Sequence, residues 1–300
     1  MSIGTPLMGA TSTRDSSPLH AGILMCVFTA VAYHNVFGGV FLFDDHSGIV
    51  RNRTIRSIES ALFSDWEAFP TAYQRRPVVN WSYAVNYAVS GLDPWSYHVF
   101  NVLIHIGCML LLFDFLRRTL QLESVPEDLR NNAVVLAGTI ALLWGTHPLQ
   151  TQSVTYTTQR CESLMSFCYL LCLYGVLQSS SSARKARWYC LVIASFVVGM
   201  ATKEVMVTAP ILVMIYDRIF LSASWRKLFR ERRFLYGGFS IGILWLASAL
   251  LRTSFDKMGR EIASGRHATG WEYLLTQPEV LLRYLRLSFW PSGFGVPPSN

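Results

Sequence analysis

Charge is scarce in this chain of 300 residues, where only 15% of positions are Asp, Glu, Lys or Arg. A soluble domain of this size carries about a quarter, so the composition argues against a water-soluble globule. Cysteine is also sparse. Cys26, Cys108, Cys168, Cys172 and Cys190 sit inside apolar runs and Cys161 at the edge of one. None forms a CxxC spacing, which argues against a zinc ribbon and a secreted disulfide framework. They read as free, small apolar side chains. No glycine-rich phosphate loop is present. No repeat of 20–50 residues marks a solenoid. The first apolar run is preceded only by Arg14 and is closed by no small-x-small site, so it does not read as a cleaved signal.

What the chain has is apolar length, with 51% hydrophobic residues. Residues 1–18 are polar, rich in Ser and Thr, and are expected to be a disordered cytoplasmic tail. Residues 19–300 are expected to form one transmembrane domain. Helices are expected at about His20–Val36, Trp95–Leu116, Ala133–Gly145, Glu162–Leu177, Trp188–Thr202, Val205–Phe220 and Phe234–Leu251. A last run, Val280–Trp290, is too short to span reliably. The fold class that follows is all-α, a polytopic transmembrane helix bundle. The formal charge of +7 lies in short basic clusters between apolar runs, as loops at an anionic membrane face require, and is not a nucleic-acid signature.

Those clusters orient the chain. Arg117, Arg118, Arg184, Lys185, Arg187, Arg226, Lys227 and Arg230 lie in short connections on one side, with the N-terminus. The positive-inside rule makes that side cytoplasmic. The long segment 43–94 is then an outer loop, periplasmic or luminal. Within it, Val78, Trp81, Val85 and Val89 share one helical face and Asn80, Tyr83 and Tyr87 the other. This pattern fits a helix along the membrane interface or a surface helix packed on the bundle.

The acidic pair Asp44-Asp45 opens that outer loop. Neighbouring carboxylates repel and need solvent, a cation or basic partners. His147, Lys203 and Glu204 reach the same side from other segments. A carboxylate pair can serve as general base or metal ligand, and Lys with Arg can hold a phosphate. The plainer readings are a hydrated loop boundary for the Asp pair, a backbone-bonded helix-end histidine for His147, and an interfacial ion pair for Lys203-Glu204.

The stretch Phe41-Leu-Phe-Asp-Asp-His-Ser-Gly-Ile-Val-Arg-Asn52 resembles the first-loop motif of the transmembrane and tetratricopeptide-repeat (TMTC) O-mannosyltransferases and their bacterial relatives. Arg76-Pro77, Asn86-Tyr87, Gly91 to His98, Asn101 and His105 resemble the next block. His147 to Val154, Gln159-Arg160 and Glu162-Ser-Leu164 are similar to a third. Lys203-Glu204, Pro210 and Tyr216-Asp217 fit a fourth, and Leu275 to Pro278, Tyr284-Leu285 and Trp290-Pro291 a fifth. The blocks run in order over about residues 20–295.

The resemblance implies a GT-C type glycosyltransferase in a multi-pass membrane protein, such as one of a bacterial inner membrane. It implies a polyprenyl-phosphate sugar donor, a protein Ser/Thr acceptor and no nucleic acid. It points to Asp44 or Asp45 as catalytic base and to Arg76 and Lys203 as donor-phosphate ligands. His147, Gln152, Arg160, Glu162 and Glu204 would support the site. No cofactor is required, and a divalent cation could assist. Gln152 stands where the family often carries Glu. The end at Asn300 leads to the expectation of a chain truncated at its C-terminus. Two other classes compete. A secondary transporter requires paired repeats and helices broken near the midplane, and neither is visible. A non-catalytic membrane scaffold needs no acidic pair facing basic partners.

Overall fold

The computed structural model describes residues 17–63, 76–244 and 270–291, and among them there is no strand. The helices are α1 (Pro18–Ala32), α2 (Ile58–Phe63), α3 (Pro77–Ser90), α4 (Pro94–Leu120), α5 (Glu127–Asn131), α6 (Ala133–Gly145) and α7 (Thr151–Thr155). They continue with α8 (Arg160–Ser181), α9 (Lys185–Met200), α10 (Ala209–Tyr216), α11 (Trp225–Glu231), α12 (Arg233–Leu244) and α13 (Gly270–Phe289). The expected tail falls outside the described residues for positions 1–16, as does the far end of the helix expected over Phe234–Leu251.

Among the described residues two helical stretches are each long and apolar enough to cross a membrane, Pro94–Leu120 and Thr157–Ser181. The number rises to four if each of two bent pairs is one span. In the first pair, α6 meets Pro148–Thr155 at 50°, and in the second, Glu204–Leu221 meets α11 at 114°. Seven spans were expected, and the difference has a physical cause. Pro148 has no N–H to continue α6. The first helix stops at Ala32 and tightens into a 3₁₀ turn, His34–Gly38. Its 15 α-helical residues reach about 22 Å, against a hydrocarbon core of about 30 Å.

Helix α8 packs along α4 and α9, and α4 along α6. The main core gathers Phe115, Cys172, Val176, Val192, Phe196, Met206 and Phe239. Close approach depends on small residues. A Cβ on Gly175 would stand 2.6 Å from a Val192 methyl, and one on Gly145 2.6 Å from the Met109 sulfur. Substitution at either would push the helices apart.

The described residues of segment 43–94 are folded rather than open. It holds a π-helical turn (His46–Val50), a 3₁₀ turn (Thr54–Arg56), α2 and α3. Helix α3 turns its polar side inward. Asn80, Ser82, Tyr83 and Asn86 are buried, while Trp81 and Val89 are exposed. Asn80 Oδ1 accepts from Asn52 Nδ2 at 2.9 Å, and its Nδ2 donates to Thr54 Oγ1 and to the Ala61 carbonyl, both at 2.9 Å. A buried amide is stable only when satisfied in this way. The two faces match the sequence pattern, and the polar one faces the protein.

Candidate active site

The Asp44-Asp45 loop is fastened to the beginning of α8. Asp45 is 1% exposed. Its Oδ1 accepts the Thr158 N–H at 2.8 Å and its Oδ2 the Leu42 N–H at 3.1 Å. Burial raises the Asp45 carboxyl above the ordinary carboxylate range, and the two backbone N–H groups oppose that rise. Asp44 is exposed. Its N–H donates to the Tyr156 hydroxyl at 2.8 Å, and its carbonyl accepts from Ser47 Oγ at 3.0 Å. The preceding residue, Phe43, has φ of 41°, and no other non-glycine described residue has positive φ. Its ring is 73% exposed and meets Tyr156 edge-on with centroids 6.4 Å apart. The pair is thus divided into an inward carboxylate held at both oxygens and an outward one at the surface.

Beneath the loop lies Arg160, with no exposed surface. Its Nε donates to Asn101 Oδ1 at 2.7 Å, Nη1 to Ser82 Oγ at 3.1 Å and Nη2 to the Tyr97 carbonyl at 3.0 Å. The guanidinium also lies 4.8 Å from the Tyr83 ring centroid and 4.7 Å from that of Phe100. This one side chain joins α3, α4 and α8 below the acidic loop. An arginine satisfied by neutral acceptors and ring faces keeps its charge in place, and Asp45 lies within its electrostatic reach.

The basic candidates meet the next residues of the same helix. Arg76 Nη1 donates to Cys161 Sγ at 3.1 Å, and its Nη2 lies 3.9 Å from Glu204 Oε2. Lys203 Nζ is bonded to the Glu162 carboxylate. Lys203 and Glu204 therefore pair across the fold instead of with each other. Arg76 and Lys203 are each 20% exposed at the side chain, Glu162 32% and Glu204 61%. The acidic loop on Thr158 and the basic pair on Cys161 and Glu162 converge on one helix end.

His147 and Gln152 lie to one side. His147 Nδ1 accepts the Leu149 N–H at 3.2 Å, as a local cap. Gln152 is exposed on α7. A small cavity of about 20 Å³ lies between His105, Trp144, Gln150, Ser153 and Glu162, room for about one water. Among the described residues no group of three or more His, Cys, Asp or Glu is arranged to hold a metal ion.

Human protein O-mannosyl-transferase TMTC3 is 26% identical over 205 residues, 65% of this chain and 21% of that protein. Human protein O-mannosyl-transferase TMTC4 is 28% identical over 221 residues, 67% of this chain and 29% of the relative. Protein O-mannosyl-transferase tmtc2 of Xenopus laevis is 26% identical over 248 residues, 77% and 28% respectively. The chain is a distant relative of the TMTC protein O-mannosyl-transferases. It spans less than a third of the length of these three relatives. No family model and no solved structure matches it.

Four of the five TMTC-like blocks of the sequence are brought together, while the fifth lies on and just after α13, with Leu275, Tyr284, Leu285 and Trp290 exposed. The first-loop motif meets Thr158, the second block supplies Asn101 to Arg160 and Arg76 to Cys161, and the third and fourth are joined by Glu162 and Lys203. Sequence reasoning missed Tyr156, Thr158 and Cys161, which contribute a hydroxyl, a backbone N–H and a thiol at the contacts. Backbone donors leave no mark on residue type. The signal available for Tyr156 was its place just before the polar Thr157-Thr158-Gln159-Arg160 run.

Proposed function

We propose that this chain carries the reactive site of a membrane glycosyltransferase. It would move a sugar, mannose by analogy with its relatives' names, from a polyprenyl phosphate to a protein Ser/Thr hydroxyl. The site lies on the outer face, periplasmic or luminal, with the N-terminus cytoplasmic. The observation that carries this reading is the convergence of an acidic loop and a basic pair on the start of α8 and the 3₁₀ turn Thr157–Gln159 that leads into it.

In the proposed step the acceptor oxygen bonds to the anomeric carbon as the bond from that carbon to the phosphate oxygen breaks, with inversion. The Asp44 carboxylate takes the hydroxyl proton and later releases it to water. The polyprenyl phosphate leaves with the electron pair of the broken bond. Its charge is met by Arg76 and Lys203. Asp45, occupied at both oxygens, positions the loop, and Arg160 supports it from below. Among the described residues no group of three or more His, Cys, Asp or Glu is arranged to hold a metal ion, and no step of this proposal is routed through one. Gln152 cannot serve as a base, and no role depends on it.

One observation favours a second reading, a non-catalytic scaffold. Lys203 already has a carboxylate partner in Glu162, and such a pair can be purely structural. Sugar transfer from a polyprenyl-phosphate donor to a Ser/Thr peptide separates the two. Asp44→Asn is expected to lower the rate by about a hundredfold to ten-thousandfold, the range for loss of a general base, with folding unchanged. A wild type without transfer activity, or an Asp44→Asn variant that keeps full rate, favours the scaffold.

A further inference from the structure

The opposite end of α8 carries a second constellation, which the transfer chemistry does not use. With 22 residues, α8 is about 33 Å long, close to the thickness of a hydrocarbon core. Its first turn holds the candidate site and its last turn holds Arg232. Arg232 Nη1 donates to Ser179 Oγ at 2.6 Å, and its Nε pairs with Asp217 at 2.7 Å. Asp217 also accepts from Ser222 Oγ at 2.8 Å and from the Tyr236 hydroxyl at 3.2 Å. This buried cluster pins the connection around α11 to the end of α8.

Helix α11 leaves the preceding segment at 114°, so it runs across the direction of that span. Leu228 is fully buried and anchors it. Trp225 and Phe229, one turn apart, are 48% and 49% exposed, and Phe234 is 71% exposed. Arg226, Lys227, Arg230 and Arg233 are all exposed beside them, and Glu231 is the one acid between 225 and 234. The Arg218 guanidinium lies 5.9 Å from the Trp225 ring centroid and that of Arg233 4.9 Å from the Phe234 centroid. Half-exposed aromatics flanked by cations on a helix set crosswise match the depth profile of a membrane interface. The rings sit at headgroup level, and the cations lie where anionic phosphates are found.

We propose that α11 and the start of α12 form a collar that binds anionic phospholipid headgroups at the membrane face opposite Asp44. The occupant follows from charge complementarity, since four exposed cations face one acid. The proposal rests on the membrane reading given above and is independent of the transferase chemistry. The Asp217–Arg232 pin holds the collar at the surface, and Arg226, Lys227, Arg230 and Arg233 supply the selectivity.

The test uses the full chain reconstituted in phosphatidylcholine vesicles. Traces of spin-labelled phosphatidylglycerol or spin-labelled phosphatidylcholine are added, and the immobilised fraction of each label is measured. Each cation near an anionic surface is worth about fivefold in affinity, so the wild type should prefer the anionic label by about tenfold or more. R226Q/K227Q/R230Q should bring the preference close to parity, while R226K/R230K keeps it. Concentrated salt should weaken the wild-type preference without any substitution. R184Q/K185Q/R187Q, at another basic connection, should leave most of it. A wild type that floats with the vesicles but shows no preference, or a salt-insensitive one, overturns the collar and leaves the membrane reading standing. So does an unchanged preference in R226Q/K227Q/R230Q. A chain that does not float with the vesicles overturns both.

Discussion

The two ends of α8 each bury a carboxylate, and they satisfy it in opposite ways. Asp217 has no exposed side-chain surface and is met directly by a guanidinium at 2.7 Å, with two hydroxyl donors beside it. Asp45 is as deeply buried but is met by two backbone N–H groups, and the buried Arg160 within its electrostatic reach is spent on Asn101, Ser82 and Tyr97. An ion pair with added hydroxyl donors fixes the first carboxylate. Backbone donors fix the second, and burial, which they oppose, raises the Asp45 carboxyl above the ordinary carboxylate range. One end is therefore built to be static, and the other holds an acidic loop in a defined shape with its second carboxylate, Asp44, at the surface.

The sharpest way to break this comparison is to remove the ion pair. Asp217→Ala strands Arg232 as a buried charge, and losing one partner of a buried pair costs about 3–5 kcal/mol. The connection to α11 should loosen as well, because Ser222 and Tyr236 share the same carboxylate. Asp45→Asn should cost less, about 1–3 kcal/mol, because the amide oxygen can still accept one N–H while the other donor goes unmet. Unfolding in mild detergent, followed by helical circular dichroism, compares the two. Equal losses would mean that the carboxylates do the same work.

A smaller effect sharpens the contrast through pH. The folded-state pKa of Asp45 is raised, so the fold favours its neutral form. Its contribution to stability is complete below the unfolded value and is lost as pH rises through the folded one. Each unit of such a shift is worth about 1.4 kcal/mol. Asp45→Asn removes that term. The deficit of the variant relative to wild type should therefore be largest in acid and shrink towards neutrality. Parallel stability curves for the two proteins across that range would remove the basic character assigned to Asp45.

Much of this arrangement was legible in the sequence, for reasons tied to particular residues. Apolar runs and arginine clusters located α4, α6 and α8, because burial and membrane thickness act on residue type. The two faces of α3 were readable from spacing, but not the direction each would face. That depended on Asn52, Thr54 and Ala61 offering partners to Asn80, contacts made by distant residues. The Asp pair was visible as a pair. Its division into a buried and an exposed member was not, because that rests on the backbone of Leu42 and Thr158. For Lys203-Glu204 the plainer sequence reading was an ion pair, beside the phosphate role implied for Lys203, and tertiary packing supplied Glu162 and Arg76 as their partners.

The smallest expected effect concerns the residue that sets this division. Phe43 is held at φ 41°, where a side chain costs about 1–2 kcal/mol. Glycine removes that strain but loses about 0.5–1 kcal/mol to chain entropy, and it also loses the edge contact with Tyr156. Phe43→Gly should therefore leave stability within about 1 kcal/mol of wild type. Phe43→Ala keeps the strained backbone without the ring and should be the less stable of the two. If the strain serves to aim Asp44 outward, Phe43→Gly should lose sugar transfer and Phe43→Ala, which keeps the backbone, should retain it, while Asp45 and the Asp217–Arg232 pin are untouched. The pair of substitutions then separates conformation from contact. A Phe43→Gly variant that matches wild type in transfer rate would show that the left-handed turn does not orient the carboxylate. A Phe43→Ala variant more stable than Phe43→Gly would show that the chain entropy lost with glycine outweighs the backbone strain at this position.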